Sequence, residues 1–77
     1  MNELKMYTTE EVAEILGMRV EHVRDLRKIG VLEAIRTGKN YMFSKGAILE
    51  FQERYKGKDV SNVKAAVQAM YEVGGAV

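Results

Sequence analysis

Apolar positions recur along this chain with a period near 3.6, then near two, then near 3.6 again, and each change of period marks an element. Over residues 9 to 16, Val12, Ala13, Ile15 and Leu16 fall on one helical face with Glu10 and Glu14 opposite. Thr8 stands three residues before Glu11, the spacing of a capping box, and Gly17 supplies a left-handed stop. A second helix is predicted from Val20 to Ile29, closed by Gly30. Its inward side is Val23, Leu26 and Ile29, while Val20, Glu21, Arg24, Arg27 and Lys28 project outward. Two helices joined by so short a glycine turn predict a helix-turn-helix.

Between Val31 and Phe43 the period falls toward two, with Leu32, Ile35, Tyr41 and Phe43 around the polar turn Thr37, Gly38, Lys39, Asn40. This pattern predicts a β-hairpin. Ser44 can cap a third helix whose stripe is Ala47, Ile48, Phe51 and Tyr55, ending near Gly57, with Leu49 off the stripe. After a hinge at residues 57–59, Asp59 or Ser61 can cap a last helix that reaches Val73 before Gly74 and Gly75. Val63, Ala66, Val67, Met70 and Val73 share one face of it, and Lys64, Ala65, Gln68 and Glu72 lie outside that face. The expected architecture is mainly α with a small β-hairpin: a unit over residues 1–57 and a C-terminal helix over 58–77. An apolar face on that last helix needs cover. It either packs back on its own chain, over Leu49, or meets another chain through Val63, Val67, Met70 and Val73, for docking, dimerisation or partner binding.

Composition narrows the class. A chain of 77 residues with 47% hydrophobic content supports one modest core, burying about 60% of its unfolded surface. The absence of cysteine removes disulfides and thiolate zinc sites, so packing alone must stabilise the fold. No apolar run approaches the roughly 20 residues of a membrane span, and Met1 to Met6 carry no apolar signal core. A cytoplasmic protein without membrane contact is expected.

The formal net charge is only +1, yet its distribution is uneven. Residues 1–18 carry Glu3, Glu10, Glu11 and Glu14 against Lys5. Residues 19–45 carry seven cations (Arg19, Arg24, Arg27, Lys28, Arg36, Lys39, Lys45) against Glu21, Asp25 and Glu33, a local net of +4. A polyanion feels the local field and would meet the middle of the chain.

The run from Tyr7 to Tyr55 resembles the winged helix-turn-helix family that includes excisionases and the DNA-binding domains of MerR regulators. The resemblance rests on the capped T-x-E-E-x-A opening, the Gly17-Met18 turn, and Val23 and Leu26 in the second helix. It rests equally on the Gly30-x-Leu32 exit, the R-x-G-x-x-Y wing from Arg36 to Tyr41, and Phe51. Three positions depart from it: Arg19 stands where many relatives place a Ser or Thr cap, and Val20 and Asp25 stand where relatives often carry a basic residue. The stretch from Val60 onward lies outside the resemblance.

The resemblance implies double-stranded DNA as partner, with the second helix in the major groove. Arg24 is the expected base reader, since a guanidinium can bond guanine O6 and N7 together, and Val20 is placed to touch a thymine methyl. Arg19, Arg27 and Lys28 are expected on phosphates. Glu21 and Asp25 are expected to pair with Arg24, Lys28 or another neighbour one turn away. The wing would bring Arg36, Lys39 and Asn40 to the backbone or minor groove. Tyr7, Tyr41, Phe43, Phe51 and Tyr55 occupy periodic positions that assign them to the core. His22 is the single histidine, too few ligands for a metal, and is expected to be structural. Neither a cofactor nor a small-molecule substrate is expected, and no nucleophile is grouped with a base as an enzyme would require. Three functions fit: an excisionase-like architectural factor that engages an integrase or recombinase, a small MerR-like transcription regulator that self-associates through its tail, and a winged-helix adaptor in phage assembly or packaging.

Overall fold

A computed structural model describes residues 5–74. The chain runs β1 (Met6–Thr8), α1 (Thr9–Leu16), α2 (Val20–Ile29), β2 (Ile35–Thr37), β3 (Asn40–Ser44), α3 (Lys45–Arg54) and α4 (Val63–Val73). The strands form one antiparallel sheet in the order β1-β3-β2. Strand β1 was not expected from the sequence; it pairs Tyr7 with Phe43 and so ties the start of α1 to the wing.

The helix boundaries follow from their caps. Thr8 Oγ1 accepts from the Glu11 amide at 3.1 Å and the Glu11 carboxylate accepts from the Thr8 amide at 2.9 Å, the reciprocal pair of a capping box. Gly17 ends α1 at φ 68°, where the Met18 amide returns to the Ala13 carbonyl at 2.9 Å. A residue with a Cβ resists that left-handed conformation, which turns the chain sharply enough for α2 to start three residues later. Ser44 Oγ accepts from the Ala47 amide at 3.0 Å and starts α3. The cap of α4 is Asn62, whose Oδ1 accepts from the Ala65 amide at 2.8 Å. Asp59 and Ser61, the expected caps, are instead bonded to each other in the preceding turn.

The core lies where α1, α2, β3, α3 and α4 converge. Val12, Val23, Leu26, Leu32 and Phe43 are its fully buried large side chains, and the Phe51 and Tyr55 rings pack at 5.5 Å between centroids. Three expectations are corrected at its edge. Ile15 is about half exposed, and Ala47 is only half-buried. Ile35 is also exposed, because β2 is an edge strand with no layer beneath it.

The last helix packs against α2 and not over Leu49. Ala66 and Ala69 are buried in the common core, and Val60, Met70 and Val73 pack against it. Small alanines let the two helices approach closely, so the buried stripe is centred on Ala66 and Ala69 and leaves Val63 and Tyr71 largely outside. The linker is fixed to α2 by a hydrogen bond in which His22 Nε2–H donates to the Val60 carbonyl at 2.6 Å. A carbonyl can only accept, which sets the ring proton on Nε2. The ion pair from Lys58 Nζ to Glu72 at 3.2 Å closes the same connection from outside.

Candidate nucleic-acid interface

The basic middle of the sequence becomes one surface made by α2 and the hairpin of β2 and β3. The hairpin register places Arg36 opposite Tyr41 and Thr37 opposite Asn40, with Gly38 at φ 73° turning the tip. Arg36 Nε donates to the Gly38 carbonyl at 2.9 Å, which stiffens the tip and partly commits that guanidinium.

Between α2 and the wing lies a groove of about 360 Å³ lined by Arg24, Lys39, Asn40, Tyr41, Met42 and the start of α1 at Thr8, Thr9 and Glu10. Three of the expected site residues, Arg24, Lys39 and Asn40, therefore meet in one place although Arg24 stands well before the other two in sequence. All three are exposed. The two ion pairs among the described residues are Arg54 with Glu50 and Lys58 with Glu72, so neither Glu21 nor Asp25 makes the expected pairing on α2.

The remaining site residues are distributed differently. Arg19 stands at the cap of α2 with no side-chain cap bond, and both Arg19 and Lys28 are exposed. Val20 is half-buried and packs in part against the core. The spacing of Val20 to Val23, three residues, carried that signal. Arg27 is half-buried, with its guanidinium carbon 3.7 Å from the centroid of the Tyr41 ring. Tyr41 was assigned to the core by periodicity, yet it is half-buried at the groove wall. The hairpin register, in which it faces Arg36, was the available clue. In the tail, Met70 and Val73 are turned to the protein's own core, Val67 is half-buried, and Val63 is 39% exposed.

The model of a helix-turn-helix domain family matches residues 6–56. The chain belongs to that family. Excisionase-like DNA-binding domains are among the members of this helix-turn-helix family, and DNA binding is the activity it supports here. The match covers every element from β1 to α3 and stops before α4, so the helix-turn-helix family accounts for the groove and not for the tail. No curated protein and no solved structure matches the chain significantly. Among the described residues no helix is long and apolar enough to cross a membrane.

Proposed function

We propose that this chain is an excisionase-like architectural factor that binds double-stranded DNA through the groove between α2 and the wing. The observation that carries the reading is the convergence of Arg24, Lys39 and Asn40 on one exposed groove within the segment of net positive charge. In this reading Arg24 enters the major groove and bonds a guanine edge, while Lys39 and Asn40 take the adjacent backbone. Arg19 and Lys28, at the two ends of α2, add phosphate contacts that set the helix in the groove. Val20 is left out of the base-contacting set because its side chain serves the core.

Glu21 and Asp25 have no ion-pair partner among the described residues and thin the positive field of the same helix, so one copy binds weakly. Repeated sites, occupied by several copies or by a copy held beside a recombinase, supply the remaining affinity. The architectural role is favoured over a MerR-like dimer because Met70 and Val73, half of the face such a dimer would use, are spent on the protein's own core.

The test is duplex binding by fluorescence anisotropy across a salt series, using a site selected from a random 20-bp pool and a scrambled control. Arg24→Ala lowers the preference for the selected site by about 1–3 kcal/mol. Lys39→Ala weakens both duplexes alike and reduces the slope of log affinity against log salt by about one. Unchanged binding in both variants refutes the DNA reading. A circular-permutation gel then measures bending; an unbent site would leave DNA binding intact and remove the architectural role.

A further inference from the structure

We infer that Tyr41 is a positioning residue for DNA recognition: with Arg27 it forms a strut that sets the width of the groove between α2 and the wing. The inference rests on the DNA-binding reading of that groove and adds residues the reading does not use.

The two side chains come from opposite walls. Arg27 belongs to the last turn of α2 and Tyr41 to β3. Their separation of 3.7 Å from guanidinium carbon to ring centroid is direct stacking, well inside the roughly 6 Å within which a cation is attracted to an aromatic face. Arg36, the cross-strand neighbour of Tyr41, lies 6.0 Å from the same ring and is itself held by the Gly38 carbonyl, so the ring is supported from the wing side. Arg27 has no carboxylate within ion-pair distance among the described residues, and its one close partner is the ring.

Strand β3 is anchored at its far end by pairing with β1 and by the buried Phe43, so what the link has to fix is the outer part of the wing. Strand β2 is three residues long and wholly exposed, and the hairpin tip makes no packing contact with the core. Arg24 and Lys39 line the groove from its two walls, so the distance between a base reader and a phosphate contact depends on where the wing stands. A planar, delocalised guanidinium stacks on a ring as an ammonium does not, and a phenyl ring serves as well as a phenol.

The experiment uses the full chain at 10 °C, with the fold of each variant checked by circular dichroism, and the selected 20-bp duplex as probe. Tyr41→Phe binds as the wild type. Tyr41→Leu, close in volume but without a π face, loses roughly fivefold in affinity with an unchanged salt slope, since no charge is removed. Arg27→Gln loses a similar factor, and the double variant loses no more than either single one. Losses that multiply in the double variant, or wild-type binding by Tyr41→Leu, overturn the strut.

A second readout needs no DNA. The Arg27 side-chain δ protons are shifted upfield by the ring current in the free protein and return to their ordinary position in Tyr41→Leu. Absence of that shift overturns the inference while wild-type duplex binding stands. If the wild type instead selects no duplex, the functional reading fails while the shift persists.

Discussion

Ala66→Leu tests whether α4 is an integral part of this fold. The Ala66 side chain is fully excluded from solvent at the contact between α4 and α2, with Val23 and Leu26 of α2 equally sealed in the same core. Leucine adds three carbons where no room exists, so the helices must separate or the side chain must leave its preferred rotamer. Such overpacking costs about 1–3 kcal/mol. For a domain of this size 1 kcal/mol lowers the melting midpoint by about 4–8 °C, which predicts a fall of roughly 5–20 °C by circular dichroism. Gln68→Leu, on the exposed side of the same helix, is the control and stays within about 0.5 kcal/mol. The His22 ring reports the same event locally: separation of α4 from α2 frees Nε2 from the Val60 carbonyl, which a nitrogen-detected spectrum registers. Equal stability of Ala66→Leu and Gln68→Leu would refute the docking of α4, because a sealed alanine cannot accept a leucine without cost.

Other consequences are local. Thr8→Ala removes the side-chain half of the capping box and lowers stability by about 1 kcal/mol in chemical denaturation. Gly17→Ala meets no atom within 4 Å of the new Cβ, so its cost is the left-handed backbone alone, about 1–2 kcal/mol, and a stability loss well above that would mean the turn is more crowded. Acid loosens the tail. Hydrogen bonds from Ser61 hold the Asp59 carboxyl below its ordinary range, and Gln68 followed by Lys58 does the same for Glu72. A carboxylate with a depressed pKa in the folded state stabilises the fold above its unfolded pKa and ceases to do so as the pH falls through the folded value. Stability is therefore flat above about pH 5 and declines below about pH 4. Glu72→Gln reduces that decline in a melting series, and an unchanged acid limb would count against the Lys58 and Glu72 bridge.

What the sequence disclosed depended on how far apart the cause and the effect lie along the chain. The bounds of α1 and α2 were legible to the residue because each is set by a cap and a stripe within ten positions. The hairpin was legible from its turn. Strand β1 was not, since three residues carry no period and its reason for being extended is Phe43, far down the chain. The stripe of α4 was visible but its target was not: its own chain over Leu49 and another chain were both open to it, and the seat on α2 turned on Ala66 and Ala69, small residues that periodicity undervalues. At the groove, Arg24, Lys39 and Asn40 were each named from the family resemblance together with what their side chains can bond. Their convergence, and the diversion of Arg27 to Tyr41, belong to the pairing of α2 with the wing and are invisible to spacing.

The seat of α4 on α2 has a mechanical consequence. A load applied at Gly74 passes through Ala69 and Ala66, and through the bond between His22 and Val60, directly into α2, the helix proposed to meet DNA, without first crossing the sheet. A module grafted after that point would be geared to the orientation of α2, and its own motions would be transmitted as changes in the pitch at which Arg24 is presented. The chain thus has the layout of a lever whose handle is α4.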